Sequence, residues 1–313
     1  MNQQRILVIK LGALGDVAQA LPAMQAIRDA HPGARLTLLT TRPFVELFAR
    51  CPWFAEVWED SRPKLWRVDS WLALRRRMRD AGFARVYDLQ TADRTDVYFA
   101  LLGPGGRPEW IGTARGASHR HADPQRDALH TADRLRAQLA LAGIAVPDSA
   151  DLAWLESDAT RFGLKRPYAL LVPGAAAHRP GKRWPAASFG ALAGRLAGRG
   201  LMPVAVGAGS EAPLTRTVRD HAGMLVDLAG KTSIAELAAL GRGAALAVGN
   251  DTGPMHWFAA AGAPTLTLFS AESDPALCAP RGRTTRTLRR DDLTQLAIND
   301  VAEAALALAE PAR

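Results

Sequence analysis

The sequence predicts an α/β protein built as two Rossmann-like domains facing across a cleft. Three observations carry that expectation. The run "RILVIKL" (5–11) is almost continuously apolar, as a parallel strand covered on both faces should be. Runs of this kind alternate with helical patterns of roughly 10–15 residues, the signature of a doubly wound parallel sheet. The segment "AVPDSADLAWLESDATRFGLKR" (145–166), rich in Pro, Asp and Ser, interrupts the alternation, which then restarts. We therefore place a first domain at 1–160 and a second at 161–313. In such sheets ligands bind outside the carboxyl ends of the strands.

The elements of the first half follow in order. After the opening strand, "DVAQALPAMQAIRDAHPG" (16–33) has apolar residues at helical spacing and ends on His31-Pro32-Gly33, a stop signal. "ARLTLLT" (34–40) reads as a strand and "PFVELFARCP" as a short helix. "FAEVWED" and "FARVYDLQ" are further strands on either side of a basic helix at 70–81, and "RDALHTADRLRAQLALAGI" (126–144) is one amphipathic helix. In the second half, "PYALLVPGA", "LMPVAVGAG", "MLVDLAG", "AALAVGND" and "PTLTLFS" are strands. The helices between them are "ASFGALAGRLAGRG", "EAPLTRTVRDHAG", "SIAELAALGRG" and "GPMHWFAAAGA", and "DLTQLAINDVAEAALALAE" is a terminal helix.

Composition limits the functional classes. Of 313 residues, 48% are hydrophobic and 22% charged, which suits soluble globular domains. No apolar run reaches the roughly 18 residues needed to span a bilayer, and the N-terminus lacks a signal-peptide pattern. Cys51 and Cys278 stand far apart, outside any metal-ligand spacing, and read as thiols of a reducing compartment. The expected location is the cytoplasm. The net charge is +8, and the excess concentrates in residues 62–85, with eight basic and two acidic positions. That stretch suits a phosphorylated glycolipid, a membrane surface or nucleic acid; a solvated arginine-rich helix face explains it equally well.

Three segments carry candidate chemistry. In "VIKLGALGD" (8–16) a Gly-rich turn delivers Asp16 to the start of a helix. Asp there is a common helix cap, but an ionised carboxylate at the carboxyl edge of a sheet is also placed to take a proton from a hydroxyl. The glycines are spaced GxxG rather than GxGxxG, a poor match to a dinucleotide fingerprint. In "PGAAAHRPGKRWPAASF" (173–189), Lys182 and Arg183 stand beside a helix start and form an anion cradle. In "VGNDTGPMHWF" (248–258), Asp251 can accept from a ribose diol and the Thr252-Gly253 turn can meet phosphate oxygens. His256 follows on the same helix, where a packed role is the plainer reading. Glu211, after the glycine-rich "AVGAGSE", is a second carboxylate suited to a nucleoside sugar or to an ordinary helix start. There is no Asp-x-Asp pair, HExxH, GxxxxGK[ST] or GxSxG. A nucleotide diphosphate would thus rely on cationic side chains, and no metal or other cofactor is expected.

Taken together, "ILVIKLGALGDVAQALPAMQAI", "PGAAAHRPGKRWPAASFGALAGRL" and "VGNDTGPMHWFAAAGAPTLTLFSAESDP" resemble glycosyltransferase family 9, the ADP-heptose:lipopolysaccharide heptosyltransferases. The resemblance implies a GT-B architecture, with an N-terminal acceptor half and a C-terminal nucleotide-sugar half, and an inverting, metal-independent transfer. Asp16 matches the family's proposed catalytic base, and Lys182 the lysine on the donor phosphate, with Arg183 beside it. Glu211 and Asp251 match carboxylates near the ribose; Thr252, Gly253 and His256 fall on the D-T-G-x-x-H segment. An ADP-sugar donor and an anionic glycolipid acceptor are implied, with peripheral contact at the cytoplasmic face of the inner membrane and no nucleic acid. Arg75, Arg76 and Arg77, with Arg94 and Arg120 behind them, are the acceptor candidates from the basic stretch and its neighbours. Phe269-Ser270 replaces the family's usual Phe-Gly, and the following loop is one residue longer, which bears on the identity of the sugar. A sibling transferase with another donor or acceptor, and a nucleotide-sugar-binding module without catalysis, are the alternatives.

Overall fold

The computed structural model describes residues 3–64, 66–105 and 107–309. The chain divides into two compact units, Met1–Trp154 and Leu155–Arg313, six residues before the boundary drawn from sequence. The first unit contains β1 (Arg5–Ile9), α1 (Leu14–Ala30), β2 (Arg35–Thr40), α2 (Arg42–Phe48), β3 (Glu56–Glu59), α3 (Val68–Asp80), β4 (Arg85–Asp88), α4 (Asp93–Leu101), β5 (Glu109–Gly112), β6 (His119–Arg120) and α5 (Thr131–Ala140). The second contains β7 (Tyr168–Val172), α6 (Ala186–Ala197), β8 (Met202–Ala205), α7 (Ala212–Ala222), β9 (Val226–Asp227), α8 (Ile234–Gly243), β10 (Leu246–Asn250), α9 (Gly253–Ala260), β11 (Thr265–Phe269), α10 (Pro275–Cys278), β12 (Thr285–Arg289) and α11 (Ile298–Ala309).

Each unit is a six-stranded, wholly parallel sheet. The order is β3-β2-β1-β4-β5-β6 in the first and β12-β11-β10-β7-β8-β9 in the second. In both, the chain starts mid-sheet, winds outward to one edge, then returns to the other side of its first strand. The reversal falls between β1 and β4, and again between β7 and β10. At such a switch point the connections leave in opposite directions and open a crevice beyond the strand ends. The register pairs Val8 with Leu38 and Tyr87, and Val248 with Leu266 and Leu171.

Helices on both faces explain why the central strands are apolar at every position rather than alternating. In the second unit one core layer gathers Leu171, Trp184, Phe189, Leu192, Val218 and Leu266. The opposite layer gathers Leu170, Val172, Leu237, Met255 and Phe258. In the first unit, Leu7, Ile9, Tyr98, Phe99 and Trp110 share one layer. No helix among the described residues is long and apolar enough to cross a membrane.

Two expected helices are shorter than their periodicity. The pattern at 126–144 is broken: Arg126–Ala128 form a single 3-10 turn and α5 begins only at Thr131. Leu129 is extended and His130 Nδ1 accepts the Ala132 N–H, capping the later start. The terminal pattern at 292–310 likewise divides into a turn at 293–295 and α11. There the Leu296 carbonyl accepts from the buried Trp184 indole at 3.0 Å, a tertiary bond that outweighs local helix propensity. The segment 87–121 supplies α4, the short strand β5 and the edge strand β6.

Gly249 marks the tightest strand–helix approach beside the second switch point. A Cβ placed there would lie 2.6 Å from Val172 Cβ and 2.7 Å from Met255 Sδ. Gly249→Ala should therefore lower the unfolding free energy by about 1–3 kcal/mol, the usual cost of overpacking a dense core. Urea denaturation read by tryptophan fluorescence measures it.

Candidate active site

In the second unit the strand ends bring the sequence motifs together. β10 closes on Asn250, which is fully buried. Its Oδ1 accepts the Trp184 N–H at 3.0 Å, and its Nδ2 donates to the Pro173 carbonyl at 2.9 Å. One side chain thus ties β10 to the end of β7 and to the Lys182-Arg183-Trp184 loop. Beside it Lys182 Nζ donates to Asp251 Oδ2 at 2.5 Å, with the two side chains only 13% and 8% exposed. A desolvated pair of this kind is held by mutual compensation, since removing either charge strands the other.

The remaining candidates surround that pair unequally. Arg183 turns its guanidinium onto the Ala175 carbonyl at 2.8 Å and so braces the loop after β7. Glu211 accepts the Ala208 N–H at 2.8 Å through Oε2. Its carboxylate lies so close over the backbone of Gly174 that a Cβ there would overlap it. Thr252 occupies the N-cap of α9, and its hydroxyl makes no cap bond. Gly253 opens that helix, and His256 is buried on it at 7% exposure. The loop after β11 also enters: Ser270 Oγ accepts the Glu272 N–H, and the Glu272 carboxylate sits where a Cβ on Gly181 would be.

In the first unit, the crevice beyond β1 and β4 is a cavity of about 190 Å³ lined by Lys10, Asp16, Leu89, Gln90, Thr91, Arg126, Thr131, Arg134 and Leu135. Asp16 is the third residue of α1 and not its N-cap; its Oδ2 accepts the Ala13 N–H at 3.0 Å. One carboxylate oxygen therefore anchors the turn while the side chain still borders the cavity. Lys10 is 4% exposed and donates to the Leu89 carbonyl at 3.1 Å. Burial lowers its pKa, and the nearby charges of Asp16 and Asp88 oppose that fall. Arg126 donates to Thr91 Oγ1 at 2.7 Å, while Arg134 donates to the carbonyls of Leu129 and Asp127. Burial, then repulsion from Arg134, lowers the Arg126 pKa. The Asp127 carboxylate pairs with both guanidiniums, at 3.1 Å from Arg126 and 3.6 Å from Arg134, but it is largely exposed, so with the Lys10 ammonium they still give the cavity a positive wall that an anion would relieve.

The arginines singled out from the basic stretch are not among the cavity residues. Arg75 donates to the Leu101 carbonyl at 2.7 Å, and Arg77 lies 3.9 Å over the Trp58 ring. Arg94 donates to the Pro63 carbonyl and covers Trp71; Arg120 donates to the Thr113 carbonyl. Arg76 is exposed on α3. No group of three or more His, Cys, Asp or Glu among the described residues is arranged to hold a metal ion.

The model of glycosyltransferase family 9 (heptosyltransferase) matches residues 71–298. The chain belongs to that family. It is 27% identical over 305 residues to lipopolysaccharide heptosyltransferase 1 of Pseudomonas aeruginosa, covering 89% of this chain and 82% of the relative. Among solved structures it is similar to a family 9 glycosyltransferase from Veillonella parvula, with TM-score 0.85, 21% identity and coverage of 98% and 97% of the two chains. It is also similar to the E. coli heptosyltransferase WaaC with ADP, with TM-score 0.77, 23% identity and coverage of 98% and 100%. The two sheets are accordingly the two Rossmann-like domains of a GT-B glycosyltransferase.

Sequence reasoning about this family 9 glycosyltransferase missed Lys10, Arg126 and Arg134. Lys10 had left a signal, because a lysine inside a strand buried on both faces must be partnered. The two arginines left none, since in the sequence they fall inside a pattern that reads as one amphipathic helix over 126–144. Asp88 was missed as well. Fully buried at the end of β4, it accepts the N–H groups of Gln90 and Thr91 and so shapes the loop that borders the cavity.

Burial raises the Asp88 carboxyl from 3.8 to about 6 despite those bonds. The folded protein therefore holds this proton more tightly than the unfolded chain does. The contribution to stability is complete below about pH 4 and is lost as pH rises through about 6. Asp88→Asn should flatten that component, so the stability difference between wild type and variant changes between pH 4 and pH 6. Denaturant titrations at both ends of that range give the comparison.

Proposed function

We propose that this glycosyltransferase moves a heptose from ADP-heptose to an anionic lipopolysaccharide-core acceptor, with inversion and without a metal ion on the diphosphate. The single observation that carries the donor assignment is the Lys182–Asp251 pair at the β7/β10 switch point. An ammonium has three donors, and Asp251 takes one of them, leaving two for diphosphate oxygens. Thr252 and the amides opening α9 supply further donors for the anion. Asp251 and Glu211 then face the ribose diol with their remaining acceptor capacity. The same reading is supported by the relative named lipopolysaccharide heptosyltransferase 1 and by the similar heptosyltransferase WaaC, whose structure was solved with ADP.

On the acceptor side the first unit's cavity offers a carboxylate and three cations within one small volume. An acceptor hydroxyl beside Asp16 loses its proton to the carboxylate as the oxygen attacks the anomeric carbon of the donor. The sugar–phosphate bond breaks, and the electron pair leaves on ADP, whose growing charge Lys182 and the helix amides offset. Arg126 and Arg134 hold an anionic substituent of the acceptor, and Lys10 keeps Asp16 and the Leu89 loop in register. Arg75, Arg76, Arg77, Arg94 and Arg120 have at most a remote part in this arrangement, since four of them bond to or stack on the protein itself.

Two measurements test the assignment. A positioned base contributes about 10²–10⁴-fold, so Asp16→Ala should lose that much kcat with ADP-heptose while staying folded and retaining its ADP affinity, with a small fall in melting temperature from the lost Ala13 N–H bond. Full turnover would reduce Asp16 to a turn-anchoring role. Arg126→Met with Arg134→Met should raise the acceptor KM by about tenfold or more and leave the donor KM alone, because each lost charged hydrogen bond is worth roughly 1.5–3 kcal/mol. A matched rise in donor KM would place the acceptor contacts elsewhere.

A further inference from the structure

The surface of the first unit carries an apolar patch that lies outside the candidate site residues. Among the described residues six large hydrophobic side chains are exposed, and three of them fall within 66–72. Trp66 is 72% exposed, Val68 61% and Leu72 48%. The contrast with the other tryptophans is sharp: six are buried at 7% or less, and Trp154 is partly buried. Val68 and Leu72 lie one turn apart on α3 and share a face, with Trp66 just before that helix.

The segment is braced, and its bracing pushes Trp66 outward. The indole of buried Trp71 donates to the Lys64 carbonyl at 3.1 Å, and Arg94 ties the Pro63 carbonyl down from α4. The Arg67 N–H closes a turn onto the same Lys64 carbonyl. Lys64 Nζ stands 5.1 Å over the Trp66 ring. Further along the helix come Arg76, exposed, and Arg79, which reaches the Gly105 carbonyl. The acidic neighbours offset little of this charge: Asp69 is already paired with Arg67 at 3.1 Å, and Asp80 closes the helix.

We infer that Lys64 and residues 66–79 dock the protein on an anionic phospholipid bilayer, with Trp66, Val68 and Leu72 entering the headgroup–acyl boundary. An aromatic ring flanked by a lysine is the side-chain pair that partitions to that depth. A short apolar face bordered by arginine and lysine binds by combining buried area with attraction to negative headgroups. The charge complementarity selects a lipid surface over a second copy of this chain, whose own patch carries the same positive border. The transferase reading is not required for this inference, although a glycolipid acceptor would give such docking a use.

The test uses the full chain and vesicles without nucleotide sugar or acceptor, so it succeeds or fails independently of the transferase assignment. Vesicles of equal parts phosphatidylcholine and phosphatidylglycerol should retain the protein on sedimentation, and phosphatidylcholine alone should not. Brominated acyl chains should quench tryptophan emission, and Trp66→Phe should abolish the quenching while binding persists. The combined Trp66→Ser, Val68→Ser, Leu72→Ser variant should bind about tenfold more weakly, with an unchanged melting temperature expected for exposed positions. Equal retention on both vesicle types, quenching that survives Trp66→Phe, or undiminished binding of the triple variant would each overturn the inference. So would a lipid-free oligomer in which Trp66 is shielded from acrylamide.

Discussion

The buried side-chain amide of Asn250 holds the second unit's ligand end together. Three backbone segments converge there: the exit of β7, the loop carrying Lys182 that follows it, and, distant in sequence, the exit of β10. A parallel sheet leaves its strand-end peptide groups without ladder partners just where the chain must turn away. A primary amide offers both acceptor and donors, so it can satisfy such groups on two sides at once. Lys182 then reaches Asp251 because its loop is already fixed two residues away by Trp184. The indole of Trp184 extends that fixation to the turn before α11 through Leu296. The ion pair is thus a consequence of backbone placement and not its cause.

The first unit solves the equivalent problem with charges. At the β1/β4 switch point Lys10 occupies the position of a core residue and bonds to the opposite loop at Leu89, while Asp88 folds that loop from below. Asp16 faces the same space from α1. Burying the Lys10 ammonium and the Asp88 carboxylate beside the partly exposed Asp16 is tolerable only because each sees opposite charge or N–H donors nearby. Such an arrangement costs stability and gives a cavity whose polar groups are fixed before any ligand arrives.

The fold was legible because its determinants are local and repeated: continuous apolar strands, helical periodicity between them, and one polar interruption near the middle. Asp16, Lys182 and Asp251 were legible for a related reason. Each follows an apolar strand at a Gly- or Pro-rich turn, where topology places ligands. What escaped depended on contacts distant in sequence. The 126–144 pattern is helical throughout by periodicity, yet a histidine cap starts the helix late and frees Arg126 to bond Thr91. The arginines of α3 read as a uniform basic face, and composition does not reveal that Arg75 and Arg77 are engaged by a carbonyl and an indole. β5 is a short strand, and β6 and β12 are short or polar edge strands, without the apolar signal of the central ones.

β12 has one further consequence. It closes one margin of the second sheet with four of its five residues exposed, Arg286 and Arg289 among them. An open strand margin is a template on which another polypeptide can add by main-chain pairing. A second copy adding there in parallel register would bring guanidinium against guanidinium along the seam, at the spacing where like charges repel. The arginine excess of this sequence therefore also guards the solubility of a sheet that could not otherwise hide its border.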